Sequence, residues 1–489
     1  GAVAGRSRWW PLAPSAAAGV TGAVRPAPAA RASVAVLPFV NGTGSGADDH
    51  LSDGLTDELI GALGRLPGLK VAGRTSAFAL RGRGLSVRAV ADTLGVANVL
   101  EGRWHRVGTR LVVSTQLVTA SDGSVVWAER YERELTNVLD VQAEIARTIV
   151  GDVRTRLGGR RDVGGTVRSP TDDPAAYELY LRGRYAFHTR TTPDGVLQAA
   201  DFFEQAVARD PSYARAHAGL SDAYTRLAVF GYAPAVDRLA AGKAAARRAL
   251  ALDSTLAEGH TALAHATLIA DFDWAAAERG FRRATTLDPG YVFARAPFAI
   301  CLASQGRFDE AIAQLDTAIA ADPLAPSVAT VLGRVLVSAG RPDDAIRVLR
   351  RVLALNPRMD LAHQQLGHAY LRKGLAAPAI AELRRAAALS GPRDSAQLAY
   401  GYAVTGRRAE ARAIVRTLAD PARRGAALPY HIAMAYAGLG EADAAFGWLE
   451  RGYAERASFM VGAAVEPGFA SLRTDPRWPR LLRSMGLAR

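Results

Sequence analysis

The chain has 489 residues, 49% of them hydrophobic and 7% aromatic, with a single cysteine. Such a length exceeds one ordinary domain, and a lone Cys301 excludes both a disulfide framework and a cysteine-rich zinc site. The formal net charge is +13, yet only Lys70, Lys243 and Lys373 among the 60 basic residues are lysines. No Lys/Arg cluster is interleaved with aromatics, so no direct binding of nucleic acid is expected.

In chain order, the first segment begins at Gly1, which implies a fragment or a processed product. Arg6, Arg8, Trp9 and Trp10 precede an Ala/Gly-rich apolar run from Leu12 to Val24, interrupted nearby by Pro11 and Pro14. The run is shorter than the roughly 20 residues of a membrane span. Residues 1–32 are therefore either a degenerate membrane anchor or an Ala/Pro linker. The first alternative gives a membrane-associated protein with its repeats on the periplasmic side, and the second a cytoplasmic one.

Residues 33–157 carry a second pattern. Ser33 to Phe39 is a compact apolar strand, and Leu51, Leu55, Leu59, Leu63 and Leu66 stripe one helix. A short strand over 69–73 and a helix over 87–94 follow. Segments 98–106, 110–119 and 125–131 form an antiparallel meander with a turn at Asp122-Gly123. A last helix is striped by Val141, Ile145, Ile149 and Val153. The order β-α-β-α-β-β-β-α specifies a small α/β (α+β) domain.

The remainder is periodic. Ala277, Ala311, Ala345 and Ala379 recur every 34 residues, each followed after four by Phe281, Leu315, Leu349 or Leu383. Three further on stand Ala284, Ala318, Val352 and Ala386, and five beyond those a helix-ending Pro289, Pro323, Pro357 or Gly391. The spacing places small and large residues on one helical face, which two antiparallel helices need in order to cross closely. Gly333 and Gly367 mark the matching position on the preceding helix. This order of Leu-Gly, Tyr, Ala, a large apolar residue and Pro resembles the tetratricopeptide repeat (TPR). About eight units are expected over residues 174–456, with a linker at 158–173 and a capping segment at 457–489.

The α/β segment also bears a resemblance. Val34-Ala-Val-Leu-Pro-Phe39, Asp53-Gly-Leu-Thr-Asp-Glu-Leu59, Val99-Leu-Glu-Gly-Arg103, Gln116-Leu117 and Val126-Trp-Ala-Glu-Arg-Tyr131 resemble the TolB-type amino-terminal-like domain that precedes TPR arrays in bacterial signalling proteins. Trp448-Leu449-Glu450 and Leu472-Arg473-Thr474-Asp475-Pro476-Arg477 resemble the usual end of such chains. The resemblance implies a signalling context, with any Ser/Thr kinase, nucleotide cyclase or winged helix lying before this segment.

No catalytic site stands out. Gly42, Gly44 and Gly46 follow the first strand, but Asp48 and Asp49 would repel a phosphate, and no Lys-Ser/Thr follows. His260 and His265, like His363 and His368, are five apart, so their side chains diverge on a helix. No cofactor, metal or catalytic residue is expected.

The expected function is a non-catalytic scaffold or sensory module that binds a protein or peptide in the TPR groove. The alternatives are the C-terminal part of a kinase or cyclase, and the effector half of a winged-helix regulator. First helices line the groove of such repeats, which makes Arg334, Gln364, His368, Arg372, Arg393, Tyr400, Tyr430 and Met434 exposed groove candidates. Arg334, Arg372 and Arg393 beside Tyr400 and Tyr430 would suit an acidic partner.

Overall fold

A computed structural model describes residues 32–42, 49–66, 68–107, 110–134, 138–157, 171–189, 192–420 and 429–487. The anchor-or-linker segment, the glycine turn at Gly44 and Gly46, and most of the 158–173 linker lie outside them. Among the described residues, no helix is long and apolar enough to cross a membrane.

Among the described residues six strands make one mixed sheet: β1 (Ser33–Val36), β2 (Val40–Asn41), β3 (Lys70–Val71), β4 (Asn98–Val107), β5 (Arg110–Thr119) and β6 (Val125–Glu134). Their order is β3-β1-β4-β5-β6, with β2 also on β4. β1 runs parallel to β3 and β4, and β4 to β6 form the antiparallel meander. The period of two divides the side chains between faces. Val34, Val36, Leu100, Val113 and Leu117 meet Leu55, Leu59 and Leu63 of α1 (Asp49–Gly64) and Ile145 and Ile149 of α4 (Val138–Arg156). Ala35 and Val99 turn the other way, toward Val90 and Leu94 of α3 (Val87–Leu94).

Two elements lie beyond what local pattern indicates. The first expected strand ends early and resumes as β2, and a six-residue helix, α2 (Arg74–Ala79), follows β3. The start of α2 is held from far away: the Asp322 carboxylate accepts from Thr75 N at 3.2 Å and Ser76 N at 2.6 Å, and also from the Ser76 hydroxyl. A tertiary contact thus takes the place of an N-cap.

Among the described residues, sixteen helices follow as eight antiparallel hairpins. They are α5/α6 (Pro174–Thr189, Pro193–Arg209), α7/α8 (Ala214–Val229, Ala235–Leu252), α9/α10 (Ala257–Asp271, Trp274–Leu287) and α11/α12 (Arg295–Ser304, Phe308–Ala321). Then come α13/α14 (Pro326–Ser338, Pro342–Leu355), α15/α16 (Asp360–Arg372, Ala376–Ser390), α17/α18 (Pro392–Val404, Arg408–Ala419) and α19/α20 (Pro429–Leu439, Ala442–Ala454). The periodic residues Ala277, Phe281, Ala284, Ala311, Leu315, Ala345 and Leu349 are all 0% exposed. A β-carbon on Gly367 would come within 2.7 Å of Leu383 Cγ, so only a residue without one lets these helices approach. Cys301 is buried in α11, and burial pushes its thiol up to about 12, which leaves it a packing residue.

The array curves until its end meets its beginning. After α20, two 3-10 segments, Ser458–Val465 and Pro467–Leu472, and a helix α21 (Arg477–Ser484) fold back inside. The Ser458 hydroxyl donates to Val229 O at 2.8 Å, and Trp274 Nε1 donates to Met485 O at 2.7 Å. Met460, Phe469 and Met485 are fully buried. The α/β domain docks on the same first turn of the superhelix. Asp57 pairs with Arg184 at 3.5 Å and Glu58 with Arg215 at 3.0 Å, while Leu324 enters the core beside α3.

Gly367→Leu is expected to cost on the order of 1–3 kcal/mol by overpacking. A thermal melt checks this, and an unchanged midpoint would contradict the helix crossing described.

Candidate functional site: a bipolar cavity in the first repeats

The candidate groove residues do fall on first helices, but most of them are covered. Gln364 is 1% exposed, His368 8%, Tyr430 3% and Met434 1%. The cover is the returning C-terminal segment. Tyr430 OH donates to Glu466 at 3.3 Å and its ring meets Phe469 edge-on at 5.1 Å. A β-carbon on Gly468 would lie 2.5 Å from Met434 Sδ, so backbone presses directly on that side chain. Arg334 is half-buried over the Phe459 ring at 5.7 Å, within electrostatic reach of Glu466. His368 stacks on half-buried Tyr400 at 5.6 Å and bonds Gln397 at 2.9 Å. Arg372 is exposed, and the Arg393 side chain lies outside the described residues.

The expectation of exposure is therefore corrected for Gln364, His368, Tyr430 and Met434, and in part for Arg334 and Tyr400. The physical reason is that a stripe of rings and methionine left by the repeats is apolar enough to bury a segment of the chain itself. The arginine strip that suggested an acidic partner is broken at Arg334. Only about 40 Å³ remains open there, room for ordered water rather than a ligand.

Toward the N-terminal end the concave face stays open. A cavity of about 290 Å³ lies among α5, α7, α9 and α11. Its charged groups sit at helical spacing on first helices: Arg184 and His188 on α5, Arg215, Asp222 and Arg226 on α7, Glu258 and His265 on α9. Tyr180, Phe187, Phe230, Tyr291 and Phe293 supply aromatic walls.

Two of the arginines are engaged. Arg184 and Arg215 face Asp57 and Glu58 of α1, and Arg184 also donates to Tyr180 OH at 3.3 Å. Arg226 and Asp222 are one turn apart on α7, close enough for an ion pair, and do not form one. Arg226 lies 3.4 Å over the Phe187 ring and donates to Phe187 O at 2.6 Å. Burial brings its pKa down to about 10.

Asp222 has no hydrogen bond or ion pair among the described residues. Burial pushes its carboxyl up to about 7; Glu258 pushes the same way, and Arg226 and Arg184 oppose it. His265, half-buried near Arg226, is driven down to about 4, and His188, near Arg74, Arg184 and Arg226, is also held neutral. Sequence reasoning missed this set, although Asp222 and Arg226 share a face of α7 by their spacing alone. Among the described residues no group of three or more metal-ligating side chains converges.

Comparison with known proteins agrees with the repeat geometry. The family model "Tetratricopeptide repeat" matches residues 297–360 and 330–394, and "HilA/YgeH-like transcriptional regulator, second domain" matches residues 30–148. A Rhizobium meliloti (strain 1021) protein carrying an adenylate-cyclase name is 35% identical over 240 residues, 48% of this chain and 40% of that protein. The chain thus spans less than half the length of that relative. Among solved structures, Pseudomonas aeruginosa pilF is 22% identical, with a TM-score of 0.34 over 43% of this chain and 92% of its own. A thermophilic TPR protein of Thermus thermophilus, TTC0263, is 18% identical, with a TM-score of 0.35 over 40% and 100%.

Two outcomes are expected from this geometry. Phe469→Ala should destabilise the fold by about 3–5 kcal/mol, because the returning segment is core; unchanged melting would make it a loosely laid strap. With its carboxyl pushed up to about 7 from the usual 3.8, Asp222 binds its proton more tightly in the folded chain than in the unfolded one. Its contribution to stability therefore falls as pH rises from about 4 through about 7. Asp222→Asn should be more stable than the parent at about pH 8, by on the order of 2 kcal/mol, with the gap closing toward pH 4 in melts across that range.

Residues 297–394 thus carry tetratricopeptide repeats, and hairpins of the same helical form stand on both sides of them among the described residues.

Proposed function

We propose that this chain is the non-catalytic, partner-binding part of a bacterial signalling protein. The observation that carries it is the repeat array itself, a scaffold whose function is display of side chains along a stacked surface. With much of the concave groove filled by the chain's own tail, the partner surface moves outward. An open trough of about 690 Å³ runs between the fifth and sixth hairpins, lined by Arg350, Leu353, His363, Tyr370, Glu382, Arg385 and Leu389. His363 Nδ1 bonds Glu382 and its Nε2 meets Pro357 O at 3.0 Å, while Arg350 donates to Tyr370 OH at 2.9 Å. This fixes a polar frame around apolar Leu353 and Leu389. A fixed polar frame with an apolar floor is the composition of a protein-binding patch.

The signalling context rests on the TolB-type resemblance. A specific observation favours one second reading: the relative with an adenylate-cyclase name supports a chain that is the C-terminal, regulatory portion of a cyclase. The match of residues 30–148 to a domain of transcriptional regulators supports a third reading, in which the same scaffold serves a DNA-binding output.

The test is a photoreactive amino acid at Leu389, compared with one at exposed Thr317 on α12, in the native host. A single partner cross-linked at Leu389 and absent at Thr317 is expected. Equal labelling at both, or none at Leu389, would remove the trough as the partner site. Purified residues 33–489 should convert no ATP to cyclic AMP and phosphorylate no protein; turnover by this segment would refute the non-catalytic assignment.

A further inference from the structure

Two opposite charges in the cavity of the first repeats, Asp222 and Arg226, lie within electrostatic reach of each other yet make no ion pair among the described residues. Arg184 and Arg215 are neutralised across the domain joint by Asp57 and Glu58. That leaves Arg226, whose one hydrogen bond among the described residues is to a backbone carbonyl, in one cavity with Asp222 and Glu258, which accept none there, Glu258 lying within electrostatic reach of Arg184 and Arg215. Desolvating either sign without a counter-charge is costly. A purely anionic ligand would relieve Arg226 and aggravate the carboxylates; a purely cationic one would do the reverse. A ligand carrying both signs relieves both. Most of the remaining wall is apolar or aromatic, through Phe187, Val229, Phe230, Phe293 and Ile300. A volume of about 290 Å³ is at the lower end for small-molecule sites.

We propose that this cavity binds a free α-amino acid with a large apolar side chain, Arg226 taking its carboxylate and Asp222 with Glu258 its ammonium. The bidentate guanidinium suits the carboxylate, and the rings take the side chain. The site goes beyond the protein-partner reading and does not depend on it: the trough at Leu389 lies on other repeats, so each can fail alone. A peptide chain is the other source of such chemistry, but it offers an ammonium or a carboxylate at a given end, rarely both within one cavity.

Titration calorimetry on the full chain tests the assignment with L-phenylalanine and L-leucine. N-acetyl-L-phenylalanine, L-phenylalaninamide and the dipeptide leucyl-phenylalanine serve as the other probes. At least one free amino acid should bind with a Kd of about 1 mM or tighter. Blocking either charge should weaken it at least about tenfold, and Asp222→Asn should do the same while melting no lower than the parent. Arg226→Gln, checked by circular dichroism for an unchanged fold, should weaken the free amino acid without weakening the amide. The assignment is overturned if neither amino acid binds at about 5 mM, if either blocked form binds equally well, or if the dipeptide binds more tightly than both.

Discussion

Close approach of paired helices, each pressing a large side chain into a place where its neighbour has none, is the constraint from which the rest of this architecture follows. The Phe203 ring lies where β-carbons on Gly183 and Gly219 would each stand 2.7 Å away, and Leu349 fills the space over Gly333 in the same manner. With so few aromatics in the chain, dispersion contacts of this kind must be made at short range or not at all. Their recurrence fixes the rotation from one hairpin to the next. That rotation brings the eighth hairpin round beside the second and third, so Ser458 can reach Val229 and Met485 can reach Trp274.

A curved array has an inside, and what fills it differs along its length. In the later hairpins the returning segment supplies partners: Glu466 for Tyr430, Phe459 for Arg334. Near the first hairpins the partners come from the α/β domain, as Asp57 and Glu58. The exchange is reciprocal, since Asp322 of the repeats caps α2 of the α/β domain. Carboxylates cross the joint in both directions, each ending on donors that would otherwise be buried unpaired.

The elements whose cause is local were legible. The stripe Ala277, Phe281 and Ala284 marks a helix face by spacing, and Asp122-Gly123 closes its hairpin through a bond from Ser124 N to Asp122 at 2.9 Å. What escaped depends on contacts hundreds of residues apart. Asp210, Asp253 and Asp288 end their repeats with turns, accepting from Ser212, Thr255 and Gly290 N at 2.8 to 2.9 Å. Asp322 occupies the same repeat position and is indistinguishable in sequence, yet its carboxylate turns to Ser76. Likewise the 3-10 segments Ser458–Val465 and Pro467–Leu472 have no helical or strand period, so nothing local says that they will bury Tyr430 and Met434.

The same first-helix stripe therefore has two fates. Where the chain's own segment folds over it, polar residues such as Gln364 and His368 become structural, lying beside Phe459, Val465 and Glu466 of the returning segment. Where that cover stops short, beside Val229 and Phe187, Asp222 and Arg226 stay desolvated and apart although one helical turn would let them pair. A fold selected for stability alone would close that pair or replace it with apolar residues. Holding both charges in one cavity walled by rings is the arrangement from which the ligand site is proposed, on hairpins separate from those that line the Leu389 trough.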